Sequence, residues 1–226
     1  AVAAGRGGVI PRTQLPPLPH FAIMSVLATP FYYYGFVAGT ALLPTSVAGL
    51  LSGSIPIFTF ICAWLFLRED RPTARMAAGI ALGFGGIALS ARPLEGAGGV
   101  PLAGVLWMVA GTLSVGVSFV YARLFLSPLK LPPLALATWQ TGLATLTLLV
   151  LTDFTGIGAI ATDHRALLGG VVGLGMLGTG GAFLIYYFII ENLGPVQASG
   201  ATYIAPVVAV IIGAAVGERI TALEIL

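Results

Sequence analysis

Charged side chains are scarce in this chain. Its 226 residues include ten Lys or Arg and eight Asp or Glu, which is 8% of the sequence, whereas 58% of the residues are apolar. Soluble domains carry about 25% charged residues because charges cover the surface that meets water. This composition therefore excludes a soluble enzyme and a disordered segment. It also excludes a nucleic-acid-binding protein, which needs clustered Lys and Arg for its phosphate contacts.

Cysteine, lysine and histidine are rare as well. Cys62 is the only cysteine, which excludes an internal disulfide and a cysteine-based metal site. Lys130 is the only lysine and lies in no Walker motif, so ATP-driven transport by this chain has no support. His20 and His164 are expected in end loops, far from the serines of the apolar segments, and a nucleophilic serine needs a base within reach. We therefore expect no enzyme activity, no metal and no cofactor.

Long apolar runs fill the sequence instead. A bilayer core about 30 Å thick needs roughly 20 apolar residues in a helix, and the runs show no period-two alternation. They predict an all-α polytopic membrane protein with seven complete spans and a truncated eighth that starts at Ile220. The complete spans are 21–43, 46–67, 73–91, 101–126, 133–152, 166–190 and 194–216. Residues 1–20 show no signal peptide and begin with Ala, so we expect an excerpt of a longer protein.

The basic residues predict the orientation of these spans. If the spans alternate in direction, seven basic residues lie on one side and three on the other, and the richer side is expected in the cytoplasm. The seven are Arg6, Arg12, Arg68, Arg71, Arg75, Arg123 and Lys130, and the three are Arg92, Arg165 and Arg219.

Two segments that lie 150 residues apart share one layout. Residues 45–69 and 195–218 each follow a tyrosine-rich span, and the shift aligns Ser52 with Thr202 and Pro56 with Pro206. Five spans separate the two segments, so equivalent helices cross the membrane in opposite directions. Such an inverted repeat is typical of secondary transporters, whose substrate sites lie where paired helices are interrupted. The alternative is that both prolines are kinks satisfied by neighbouring helices.

Hydroxyl, amide and aromatic side chains are the candidates for substrate contact. No charged residue or histidine lies in the middle of a complete span, which predicts a small neutral, zwitterionic or aromatic substrate. Proline also frees a backbone carbonyl that can bond a ligand. The candidates are Tyr33, Ser52, Pro56, Trp107, Gln140, Tyr187, Thr202, Tyr203 and Pro206. Core packing, interhelical bonds and interfacial belts are the alternative roles for these side chains.

These features resemble the EamA family of the drug/metabolite transporter superfamily. The resemblance rests on residues 46–89, which begin SVAGLLSGSIPIF, and on residues 193–226, which begin LGPVQASGATYIAPV. It implies a fold of ten helices in two inverted five-helix repeats. Residues 1–20 are then a cytoplasmic loop, 21–91 helices three to five, 92–100 an external loop, and 101–226 helices six to nine with the start of the tenth. Arg68-Glu69 departs from the Gly-Glu pair that is usual in the family.

The resemblance also implies a function. We expect a secondary transporter of the inner (plasma) membrane that exports an amino acid, a nucleoside or a drug-like molecule by alternating access. Its expected partners are the lipid bilayer and this small-molecule substrate, and a homodimer is left open. The alternative is a flippase-like or accessory membrane subunit for a lipid-linked substrate.

Overall fold

Helices make up the fold. The computed structural model describes residues 18–68, 71–91, 100–158, 160, 163–204 and 208, and these residues contain no strand. The described α-helices are α1 (Leu18–Ala28), α2 (Pro30–Thr40), α3 (Thr45–Ser52), α4 (Ile55–Phe66), α5 (Ala74–Ala91), α6 (Leu102–Tyr121), α7 (Pro133–Leu151), α8 (His164–Leu168), α9 (Ala182–Asn192) and α10 (Pro195–Gly200). Wider π-helical turns form Ala122–Leu126 and Gly169–Gly181, and 3-10 turns form Ser127–Leu129 and Ala201–Tyr203.

Five described helical stretches are long and apolar enough to cross a bilayer. They are Leu18–Thr40, Ser46–Phe66, Leu102–Leu129, Pro133–Leu151 and His164–Asn192. A shorter apolar helix, Ala74–Leu89, lies in α5. The prediction of an all-helical membrane protein is confirmed for the described residues. The seventh predicted span is described only through Ile204 and at Val208, and the start of the eighth lies outside the described residues.

Two of the spans are interrupted by proline-containing turns. Thr29 lies between α1 and α2, and Pro30 begins α2, which divides a span that the sequence predicts as one continuous run. Proline has no N–H to continue the helical ladder, and this explains the division. A second interruption at Gly53 and Ser54 separates α3 from α4, whose second residue is Pro56.

Helix α6 packs antiparallel to α1 and α2. His20 at the start of α1 lies with its Nδ1 2.7 Å from the hydroxyl of Tyr121 at the end of α6. Further along, Ser114 donates its hydroxyl hydrogen to the carbonyl of Leu27 at 2.8 Å. Residue numbers therefore fall along α6 as they rise along α1.

Helix α4 packs parallel to α6. The hydroxyl oxygens of Ser54 and Thr112 are 3.1 Å apart near the start of α4. One turn later the two helices approach closely, because a Cβ atom on Gly116 would lie 2.8 Å from the Cβ of Phe58. Residue numbers therefore rise together along both helices.

Helix α10 packs against α4. Val196 near the start of α10 lies in an apolar cluster with Cys62 and Leu67, at the end of α4. Ala198, further along α10, belongs to a second cluster that contains Ile55, at the start of α4.

Candidate functional site

A cavity of about 390 Å³ lies between α2, α6, α9 and the turn that follows α10. Its volume is within the range of small-molecule binding sites. Tyr33, Phe119, Phe183 and Tyr186 supply aromatic side chains to its described lining, and Thr179 and Thr202 supply hydroxyls. The remaining described lining is small or aliphatic, so the cavity is mostly apolar with a few polar groups.

The cavity lies near the middle of the membrane-spanning bundle. Phe119 lines one end. Tyr33 lines the other end and follows Tyr32, whose carbonyl oxygen would lie 3.1 Å from a Cβ on Gly111. Gly111 and Phe119 are about 12 Å apart along α6 at the helical rise per residue. Both lie close to the centre of the span Leu102–Leu129, so the cavity lies near the expected bilayer midplane.

Tyr186 is the centre of the aromatic wall. Its ring centroid is 4.8 Å from that of Phe119 at a tilt of 53°, and 5.8 Å from that of Phe183 at 79°. Such tilted and edge-to-face pairs are favourable for aromatic rings. The Tyr186 hydroxyl is buried near Ser118 and makes no well-formed hydrogen bond with the described residues. The ring of Tyr186, rather than its hydroxyl, therefore faces the cavity.

The two threonines of the lining are bonded to their own helices. Thr202 donates its hydroxyl hydrogen to the carbonyl of Ser199 at 2.7 Å. Thr179 donates to the carbonyl of Leu174 at 2.9 Å, five residues earlier in the π-helical turns. A hydroxyl has one hydrogen and two lone pairs, so each threonine retains accepting capacity only.

Ser52 and Pro56, the first-half counterparts of Thr202 and Pro206, lie outside the described lining. Ser52 donates to the carbonyl of Gly49 at 2.7 Å, which reproduces the local bond of Thr202. Pro56 is fully buried. Pro206 lies outside the described residues.

Gln140 and Tyr187 are bonded to each other. The Tyr187 hydroxyl donates to Oε1 of Gln140, and both side chains are almost fully buried, with 2% and 0% exposure for Tyr187 and Gln140. This bond joins α9 to α7, the role expected of an amide between membrane helices. Nε2 of Gln140 is buried and makes no hydrogen bond with the described residues.

Trp107 and Tyr203 also lie outside the described lining. Trp107 is partly exposed and packs edge-to-face on Tyr34 with centroids 5.2 Å apart. The ring of Tyr203 lies directly on Gly83 of α5, where a Cβ atom would collide with it. Of the nine candidates, the structure therefore brings Tyr33 and Thr202 together in the cavity.

The sequence candidates omit four lining residues with aromatic or hydroxyl side chains: Phe119, Thr179, Phe183 and Tyr186. Three of them lie at positions 179, 183 and 186, a spacing that places side chains on one helical face. Thr179 is also the only hydroxyl residue in the glycine-rich segment 169–181. This periodicity is the signal that could have identified them.

Comparison with known proteins identifies the family. A model of the EamA-like transporter family matches residues 3–92 and 102–226 of this chain. An Escherichia coli protein named an uncharacterized inner membrane transporter, YedA, is 27% identical over 192 residues, which are 80% of this chain and 57% of that protein. An uncharacterized transporter of Archaeoglobus fulgidus is 25% identical over 203 residues, or 89% of this chain and 70% of that protein.

The chain belongs to the EamA-like transporter family, because the family match covers most of its length. It spans 57% of the length of its E. coli relative. The family predicted from the residues is confirmed, and so is the location in the inner membrane as a multi-pass protein.

Proposed function

We propose that this member of the EamA-like family is a secondary transporter that exports a small neutral, zwitterionic or aromatic molecule. The observation that carries the proposal is the cavity of about 390 Å³ near the bilayer midplane. Tyr33 lines it from the first half of the chain, and Phe119, Tyr186 and Thr202 line it from the second half. Substrate sites of secondary transporters lie in this position, between two structural repeats.

Three observations support an inverted repeat of residues 21–91 and 101–226. The family model matches two successive stretches of the chain. Helices α4 and α10, which carry the similar segments, pack against each other. Ser52 and Thr202 donate to the carbonyl three residues earlier at the same distance of 2.7 Å. In this arrangement the arginines of the α4–α5 connection lie in the cytoplasm, and the loop at 92–100 lies outside.

Substrate contacts follow from the lining of the cavity. A flat or apolar part of the substrate stacks against Tyr33, Phe119 and Tyr186, and polar groups meet Thr202. The bond between Gln140 and Tyr187 holds α9 in place and so positions the neighbouring ring of Tyr186. Rocking of one repeat against the other then exposes the cavity to one side of the membrane at a time.

A counterflow assay tests this function. The protein is reconstituted in liposomes loaded with unlabelled phenylalanine, adenosine or benzamide, and uptake of the matching tritiated compound is measured. We expect uptake above that of protein-free liposomes for at least one compound. We also expect Thr202→Val and Tyr33→Ala to lower the initial rate about five-fold, the scale of one lost hydrogen bond or ring contact.

Thr145→Val is the matched control, because Thr145 also bonds to its own helix and lies on an exposed face of α7. Unchanged rates for both Thr202→Val and Tyr33→Ala would remove these two lining residues from the substrate pathway. Uptake of none of the three compounds, together with movement of a lipid-linked sugar, would favour the flippase-like alternative.

A further inference from the structure

We infer that the cavity selects substrates that carry N–H or O–H donors on a flat apolar body. The inference rests on the proposed function and narrows its substrate class. It follows from the direction of two hydrogen bonds at Thr179 and Thr202, the two threonines of the described lining.

Each of these hydroxyls already donates its hydrogen to a backbone carbonyl oxygen. A carbonyl oxygen can only accept, so Thr202 must be the donor in its bond to Ser199, and Thr179 must be the donor in its bond to Leu174. Both oxygens offer lone pairs to the cavity. A substrate N–H or O–H completes these acceptors, whereas a substrate carbonyl or carboxylate placed against either threonine oxygen meets like partial charge.

The aromatic wall favours the same class of substrate. The rings of Phe119, Phe183 and Tyr186 bury the flat apolar body, and their electron-rich faces attract the positive edge of an N–H group. Neutral amides, ring N–H groups and ammonium groups therefore fit the described lining better than carboxylates do. The preference distinguishes molecules that carry N–H or O–H donors from molecules that lack them, within the broader class.

A binding comparison tests the preference. Equilibrium binding of tritiated benzamide and of tritiated N,N-dimethylbenzamide is measured for the protein in lipid nanodiscs. Benzamide carries two N–H donors and its dimethyl derivative carries none. We expect benzamide to bind about five-fold more tightly, within the range of a single neutral hydrogen bond.

Variants of the protein show whether the preference for benzamide comes from its N–H donors or from its smaller size. In the double variant Thr179→Val/Thr202→Val the preference for benzamide should fall below about two-fold, because the lone pairs are removed while the volume is kept. Thr202→Ser retains the hydroxyl and should keep the preference, as should the control Thr145→Val, whose hydroxyl bonds to Thr141 at 2.8 Å. Size-exclusion profiles and circular dichroism spectra establish that each variant is folded.

Several results would overturn the inference. These are equal binding of both amides, a preference that persists in Thr179→Val/Thr202→Val and so reflects size, and saturable binding of neither amide. Counterflow in liposomes is a separate measurement. Transport of a compound without donors would overturn the selectivity and leave the export function standing, whereas absence of any counterflow would contradict the export function itself.

Discussion

The similar segments 45–69 and 195–218 each contain one interruption of a helix, which we call the first and the second break. The two breaks have the same layout but different surroundings. In the first break, Gly53 and Ser54 are buried, with Ile87 of α5 beside Gly53 and Thr112 of α6 beside Ser54. In the second break, Ala201–Tyr203, Ala201 is exposed and lines the cavity together with Thr202. An interrupted helix is therefore not enough to make a binding site, because the neighbouring helices decide whether its polar groups meet an open space.

The side chains that lie beside the first break are larger than those beside the second break. Ile87 of α5 fills the space beside Gly53, since a Cβ on this glycine would lie 2.8 Å from Cδ1 of Ile87. Beside the second break, α9 and the turns before it present Gly178 and Ala182. These small side chains leave volume that the aromatic residues do not fill.

Cysteine labelling gives the largest expected difference between the breaks. Cys62→Ala provides a cysteine-free chain, into which Ser54→Cys or Ala201→Cys is introduced. We expect a small thiosulfonate reagent to modify position 201 about 100-fold faster. Modification at position 54 must wait for a local opening that costs roughly 3 kcal/mol. The measurement is the second-order rate constant, by mass spectrometry.

Equal labelling rates would show that positions 54 and 201 are equally accessible to the reagent. The two breaks would then not differ as a buried and an open site. A transported compound at saturating concentration should slow labelling at position 201, because it occupies the cavity. Protection at position 54 alone would place the substrate at the first break instead.

Alanine substitutions at two glycines give an intermediate effect. Gly53→Ala should lower the free energy of unfolding by about 1 kcal/mol, at the low end for overpacking because the end of the Ile87 side chain can move. Gly200→Ala, just before the second break, has nothing within 4 Å of the new Cβ and should leave stability unchanged or slightly raised. Thermal unfolding in detergent measures both. A larger loss at Gly200 than at Gly53 would contradict the assignment of the open and the sealed break.

Much of the fold could be predicted from the residues. A bilayer demands continuous apolar helices, so composition and run length locate them closely, as in the predicted 133–152 and the observed Pro133–Leu151. Tyr33 and Thr202 were accessible to prediction because the repeated layout points to hydroxyls near prolines and to tyrosine-rich spans. The division at Pro30 was missed, although proline favours the first position of a helix.

The rest depends on contacts between distant parts of the chain. Gln140 and Tyr187 have the chemistry of ligand-binding residues, but they bond to each other across 47 positions. No spacing rule reveals such a partner. The inward face of α9 is likewise set by the position of α6, which brings Phe119 against Tyr186 and leaves the adjacent Tyr187 turned away from the cavity.

The smallest expected effect concerns the hydroxyl pair that faces the first break. Ser54 has one hydrogen, which lies between the carbonyl of Leu51 at 2.6 Å and Thr112 Oγ1 at 3.1 Å. Thr112 donates its own hydrogen to Met108 at 2.8 Å. The contact between the two hydroxyls is therefore weak, and Thr112→Val should lower the free energy of unfolding by only about 0.5 kcal/mol, near the average for polar contacts between membrane helices. A loss of more than about 2 kcal/mol in Thr112→Val would assign the sealing of the first break to this hydroxyl pair, in place of the packing of Ile87 over Gly53.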